Sequence, residues 1–247
     1  MAFKARRSAC ASPLDRAGLP FFSRIVRPMT DSPARRRPRR APTGRPALDI
    51  ILADLASADI DLEERVVQRE QIYRGRYVTL EKDAIVRPDG SESSRDILVH
   101  PGAVVIAPLD AGGRLLLVTQ YRLASGGALL ELPAGTLDVH DGVIEDPEPA
   151  AHRELEEETG YRAGKLERIG GFFSAPGFLT EYLTLFLATD LRPAGHDRLS
   201  PDEDERIRLV RLDWREAVAA VEAGVIEDAK SIAGILMLAR RLETAGR

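Results

Sequence analysis

Residues 135–161 read GTLDVHDGVIEDPEPAAHRELEEETGY, and the second half of this stretch decides what kind of protein the chain encodes. Asp146 is suited to cap a helix, Pro147 fits the first helical position because its missing N–H would be unpaired there, and Gly160 is a natural stop past the last turn. A short helix is therefore expected. At about 100° per residue, Glu154, Glu157 and Glu158 fall on one face of it, while Ala151 and Leu155 project toward a core. Like charges at this spacing repel, the more so where water is excluded, so the cluster asks for a cation. Hard carboxylate oxygens suit Mg²⁺ or Mn²⁺. Arg153 precedes Glu157 by four residues and can hold one carboxylate in place, leaving the others for metal. Taken alone, the string RExxEE leaves a solvated acidic helix face open as the alternative.

The surrounding residues supply a context. Glu145, Arg153, Glu154, Leu155, Glu157, Glu158, Gly160 and Tyr161 resemble the Nudix box, G-x5-E-x7-R-E-U-x-E-E-x-G-U, in which U is aliphatic or aromatic. Seven residues separate Glu145 from Arg153, as the pattern requires. The opening glycine departs from it: nine residues separate Gly135 from Glu145 where the pattern has five, and Val139 occupies the strict position. The tetrad HDGV, or a neighbouring one, reads as an insertion in the loop before the helix, which costs little chain entropy. The position of Glu145 depends on how that insertion is accommodated.

Outward from this stretch, 247 residues with 44% hydrophobic content allow one sizeable core and an appended element. Charge is uneven. Residues 1–45 carry 12 Lys and Arg against Asp15 and Asp31, a local +10, so with −4 for the whole chain the remainder carries −14. An acidic body of this kind is a poor nucleic-acid binder. Residues 1–46 are rich in Arg, Pro, Ser and Ala with few apolar residues to bury, and read as a disordered tail, with a phosphate-binding arm or a transit peptide as other uses of its Arg/Ser bias. No apolar run is long enough for a membrane helix. Cys10 is the only cysteine, which excludes an intramolecular disulfide and fits a reducing cytoplasm.

Residues 47–98 read as a separate unit. A short helix and a strand are expected in residues 47–70, then two or three antiparallel strands from Gln68 to Leu98, broken by the turn signal Arg87-Pro88-Asp89-Gly90. So small a unit needs a partner surface, on the main domain or on a second subunit. The main domain, residues 99–247, opens with the buried strand AVVIAPL, a hairpin turn at Asp110–Gly113, the returning strand RLLLVTQYR, and ALLELPAG leading into the box. Strands recur over 166–174, 182–189 and 206–212. Helices are expected over 213–223 and 227–243, the second with Ile232, Ile235, Leu236, Leu238 and Ala239 as its apolar stripe. The pattern predicts an α/β (α+β) fold, an α/β/α sandwich around a mixed sheet.

The resemblance extends over roughly residues 65–245. HPGAVVI, the strand end Gln120-Tyr121-Arg122, ELPAG, SAPGFLTE, and the closing Trp214, Ala217, Gly224 and Asp228-Ala229-Lys230 look like the ADP-ribose pyrophosphatase branch of the Nudix hydrolases. Pro176, 15 residues past Tyr161, matches that branch's marker proline. The resemblance implies that Glu154, Glu157 and Glu158 bind Mg²⁺ with the backbone carbonyl of Ala134, and that Glu181 positions or deprotonates the attacking water. It also implies a homodimer that exchanges its N-terminal strands, with substrate near the interface. A pyrophosphate is anionic on both phosphoryl groups, so an acidic enzyme reaches it through divalent metal. Arg74, Arg76 and Arg122 are candidates for the diphosphate or ribose, each with a surface or inter-strand ion pair as its plainer role. Tyr73, Tyr77 and Phe178 can stack on a base, or simply pack. The four histidines show no metal-ligand spacing.

The activity this implies is Mg²⁺-dependent hydrolysis of ADP-ribose to AMP and ribose 5-phosphate. Another nucleoside diphosphate sugar, such as ADP-glucose or GDP-mannose, keeps the chemistry and changes the substrate. A non-catalytic domain that senses ADP-ribose is opposed by the intact REUxEE. Removal of 5′ pyrophosphate from RNA would need the basic tail.

Overall fold

The computed structural model describes residues 43–200 and 206–245; most of the expected tail lies outside the described residues. Helix α1 (Pro46–Asp61) precedes β1 (Arg65–Arg74), β2 (Thr79–Val86) and β3 (Glu92–Val99), which pair antiparallel in that order. The turn signal at Pro88-Asp89-Gly90 falls between β2 and β3. Arg69 and Asp83 oppose each other in the first ladder, and the Arg69 Nε donates to the buried Asp83 carboxylate at 2.8 Å. Helix α1 buries none of its side chains, and Leu48, Ile50, Ile51 and Leu55 stay exposed.

The main unit continues through β4 (Ala103–Pro108), β5 (Arg114–Arg122), β6 (Gly127–Glu131), β7 (Ala134–Thr136), β8 (Val139–His140), β9 (Val143–Ile144) and α2 (Pro147–Thr159). After it come β10 (Tyr161–Arg162), β11 (Lys165–Phe173), β12 (Tyr182–Thr189), β13 (Arg192–Pro193), β14 (Arg208–Asp213), α3 (Trp214–Glu222) and α4 (Ala229–Ala245). One sheet has the order β11-β12-β4-β7, with β12 and β4 parallel and the other pairs antiparallel; a second has the order β14-β5-β6, all antiparallel.

Strand β4 is apolar and buried throughout because both its faces are covered. Its alternate residues Ala103, Val105 and Ala107, with Leu183, Leu185 and Leu187 of β12, join the core that holds Ala217 of α3 and Ile235 and Leu238 of α4. Val104 and Ile106, with Phe186 and Ala188, join the core that holds Ala150, Ala151 and Leu155 of α2. The period-two alternation thus feeds two layers of helix from one mixed sheet, the α/β/α sandwich expected from the sequence.

Differences from the expected elements are local. The last helix starts at Ala229, two residues later than expected, and ends at Ala245. Leu236, placed in its apolar stripe, is 42% exposed; Ile235, Leu238 and Ala239 are buried, with Leu242 packed beside them. At about 100° per residue Ile235, Leu238, Ala239 and Leu242 share one arc of the helix, and Leu236 falls outside it. Among the described residues no helix is long and apolar enough to cross a membrane.

Candidate active site

Helix α2 is fixed at both ends. The Asp146 carboxylate accepts from the Glu148 N–H at 3.0 Å, and Gly160, at φ 73°, stops the helix while its N–H donates to the Glu156 carbonyl at 2.9 Å. Ala150, Ala151 and Leu155 are fully buried, which sets the rotation of the helix about its axis. That rotation turns Glu154 and Glu157 onto a cavity of about 1350 Å³. Glu158 sits deeper, 5% exposed, where its carboxylate accepts from the Ala134 N–H at 3.1 Å. Gly135 makes the close approach of β7 to the helix feasible: a Cβ there would lie 1.9 Å from the Glu154 carboxyl carbon.

Arg153 takes more carboxylates than the one foreseen. Its Nη1 donates to Glu154 at 2.7 Å and to Glu157 at 3.1 Å, and its Nη2 donates to Glu145 at 3.0 Å, with Asp138 at 3.8 Å. Burial opposes its charge, but the bond to Glu145 and the charges of Glu154, Glu145 and Glu157 prevail, so the guanidinium is held firmly protonated. Among the described residues, no three His, Cys, Asp or Glu side chains converge closely enough to grip an ion as they stand, and Arg153 bridges Glu154 and Glu157. The donor chemistry still fits a hard divalent cation: carboxylate oxygens on one cavity wall, without thiolate or imidazole among them.

The four additional residues before Glu145 form a β-hairpin rather than an open loop. Val139 pairs with Ile144 and His140 with Val143, around a turn in which Asp141 and Gly142 both have positive φ (51° and 79°). Asp-Gly is the dipeptide that this tight turn prefers, so the signal was present in the sequence. At the base of the hairpin the Glu145 N–H donates to the Asp138 carbonyl at 2.8 Å. The chain therefore leaves and returns at one place, and Glu145 reaches Arg153 as though the insertion were absent.

The same cavity is lined by Arg74, Arg76, Tyr77, Gln120, Arg122, Glu181, Asp228 and Lys230. Phe178 and Tyr73, candidates for base stacking, are not among its lining residues; both are more than half exposed. Arg76 lies over the Tyr77 ring, 4.8 Å from its centroid. The Glu181 carboxylate is 3.6 Å from His100 Nδ1. Gln120 keeps its Oε1 buried without a hydrogen-bond partner.

An ionic cluster that sequence reasoning missed involves Glu131 of ELPAG, 1% exposed. Arg122 forks onto it with two bonds of 2.8 Å, and Lys230 donates to the same carboxylate and to Asp228 at 2.9 Å. Asp228 also accepts from Ser231 Oγ at 2.5 Å, and that hydroxyl accepts from the Leu132 N–H at 2.7 Å. Arg122 and Glu131 are nine positions apart on neighbouring strands, but Lys230 reaches Glu131, and Ser231 reaches Leu132, across 99 positions, which no local pattern could link.

Two family models match the chain: the NUDIX domain over residues 99–233, and the nucleoside diphosphate sugar hydrolase N-terminal domain over residues 64–98. An ADP-ribose pyrophosphatase of Bacillus subtilis is 37% identical over 177 residues, covering 72% of this chain and 93% of that protein. A methanol dehydrogenase activator of Bacillus methanolicus is 36% identical over 176 residues, covering 71% of this chain and 92% of that protein. Among solved structures, one described as an ADP compounds hydrolase superposes with a TM-score of 0.65 at 24% identity, covering 75% of this chain and 97% of its own.

Proposed function

The chain belongs to the Nudix hydrolase family, and from that membership we propose that it cleaves the diphosphate linkage of ADP-ribose to give AMP and ribose 5-phosphate, with Mg²⁺ as its metal and Mn²⁺ as a substitute. The observation that carries the reading is the make-up of one cavity, with the box carboxylates Glu154 and Glu157 facing a space that Arg74, Arg76 and Arg122 also line. Cations for an anionic diphosphate and acids for a metal are then within reach of one ligand. The N-terminal match to nucleoside diphosphate sugar hydrolases supports the substrate class, and the name of the Bacillus subtilis relative supports ADP-ribose within it.

Glu154, Glu157 and Glu158, with the Ala134 carbonyl, are the residues that would hold the divalent ion. When bound, the ion neutralises diphosphate charge and makes water a better nucleophile. Arg153 fixes the rotamers of Glu154 and Glu157 through its two short bonds. Glu181, on the cavity wall beside a neutral imidazole, accepts the proton of the attacking water as its oxygen bonds to phosphorus and the bridging P–O bond breaks. Arg74, Arg76 and Arg122 hold the two phosphoryl groups, whose negative charge leaves with the products.

Ile72 and Tyr73 of β1 are more than half exposed, which supports a homodimer whose second copy covers the N-terminal sheet. A chain with one cysteine, Cys10, suits the cytoplasm, where we place it. The test is product identification with Mg²⁺ and ADP-ribose, ADP-glucose, GDP-mannose, NADH and a 5′-triphosphate RNA in parallel, with Glu157→Gln as control. Conversion of ADP-ribose alone to AMP and ribose 5-phosphate, lost in the control, is the expected result. Binding of ADP-ribose without turnover of any substrate would replace the enzyme with a sensor.

A further inference from the structure

The loop between β11 and β12, residues 174–181, ends on Glu181. It is folded on itself, with the Phe178 and Leu179 N–H groups donating to the Ala175 carbonyl at 3.2 and 3.0 Å and the Ser174 N–H to the Glu181 carbonyl at 3.3 Å. Its outer edge is then stitched to the end of β3. The Leu98 N–H donates to the Phe178 carbonyl at 2.7 Å, and the Thr180 N–H donates to the Leu98 carbonyl at 3.0 Å. One hydroxyl completes the seam: Thr180 Oγ1 accepts from the His100 N–H at 2.8 Å and donates to the His100 carbonyl at 3.1 Å, satisfying both backbone groups of that residue.

The side chain next to Glu181 does not hold it. His100 Nδ1 already accepts from the Gly102 N–H at 3.1 Å, so in the neutral ring the proton sits on Nε2 and the nitrogen facing Glu181 has no hydrogen to give. Burial keeps the ring neutral by lowering its proton affinity against the pull of the Glu181 charge. The position of the carboxylate therefore comes through the backbone, from the seam one residue away.

We propose that Thr180 is a positioning residue, its hydroxyl clamping the loop to His100 and so fixing Glu181 on the cavity wall. The consequence is that the N-terminal sheet, through the last residues of β3, sets the geometry of the reaction. The inference rests on the reading of Glu181 as the group that takes the proton from water.

A double-mutant cycle tests it. Thr180→Val, Thr180→Ser, Glu181→Gln and Thr180→Val combined with Glu181→Gln are assayed for kcat and KM on ADP-ribose with Mg²⁺, and each folded variant is checked by its unfolding midpoint. Thr180→Val should lower kcat by at least about tenfold with KM within about twofold, since a small misplacement of a reacting group is costly in rate. Thr180→Ser, which keeps the hydroxyl, should recover most of the loss. In the Glu181→Gln background, Thr180→Val should add less than about a twofold effect, because the group it positions is already gone. An undiminished effect of Thr180→Val in that background, or Thr180→Val with wild-type kcat, overturns the clamp. Wild-type turnover in Glu181→Gln alone overturns the base assignment instead. If Thr180→Val does not fold, Thr180→Ala enters the same cycle with the same criteria.

Discussion

Asp138 and Glu145 close the base of the β8–β9 hairpin on each other: the Glu145 N–H donates to the Asp138 carbonyl at 2.8 Å, and the Asp138 N–H donates to the Glu145 carboxylate at 3.2 Å. Glu145 thereby keeps its bond to Arg153 while the residues between the two project along the cavity, where Val139, Gly142 and Ile144 line the wall. Deleting His140–Val143 should leave kcat on the best substrate within about threefold and shift stability by only about 0.6 kcal/mol, as loop shortening by this factor does. It should change the ranking of kcat/KM among ADP-ribose, ADP-glucose and GDP-mannose. Competition assays read this directly, and an unchanged ranking would remove the hairpin from substrate selection.

Arg153 bonds three carboxylates from a planar fork, a task that a lysine ammonium cannot reproduce. Arg153→Lys should keep the fold and the net charge yet lose about 100-fold in kcat, the scale on which misaligned groups fail. Steady-state kinetics beside a circular dichroism melt separates this from unfolding. Wild-type kcat would show that Glu154 and Glu157 need no such brace.

Glu131 is buried between Arg122 and Lys230, so removing its charge takes the forked partner from Arg122 and leaves Lys230 with Asp228 alone. Glu131→Gln should cost about 3 kcal/mol, measured from the urea midpoint. Burial pushes this carboxyl up, but the Arg122 hydrogen bonds and the Lys230 charge outweigh it and hold the group below its ordinary 4.5. A depressed folded value means that the contribution is complete above about 4.5 and is lost as the pH falls from there through the folded value. Glu131→Gln should flatten the stability curve in that acidic window. Parallel curves for the two proteins would assign the acid sensitivity to other groups.

Metal addition has a readout independent of turnover. At a concentration 100 times its dissociation constant, Mg²⁺ added to chelator-treated protein should raise the unfolding free energy by about 2.7 kcal/mol. Glu157→Gln should lose most of this gain. An equal gain in the variant would place the ion elsewhere.

The sequence by itself determined the elements whose causes are local. The cap at Asp146, the stop at Gly160 and the apolar positions of α2 act within one helix, and so the face bearing Glu154, Glu157 and Glu158 is legible in the order of the residues alone. The continuous apolar run of β4 likewise announced a strand covered on both sides. Tertiary structure decided what no local rule relates. Leu236 lost its place in the core because the sheet that α4 packs on selects which of two adjacent residues faces inward. Glu131 met Lys230 across 99 positions, and Thr180 met His100 across 80, through packing of separate strands and helices. Hydrogen bonds and ion pairs act over a few ångströms whatever the separation along the chain, so the pattern of one segment fixes its own conformation but not the partner that completes it.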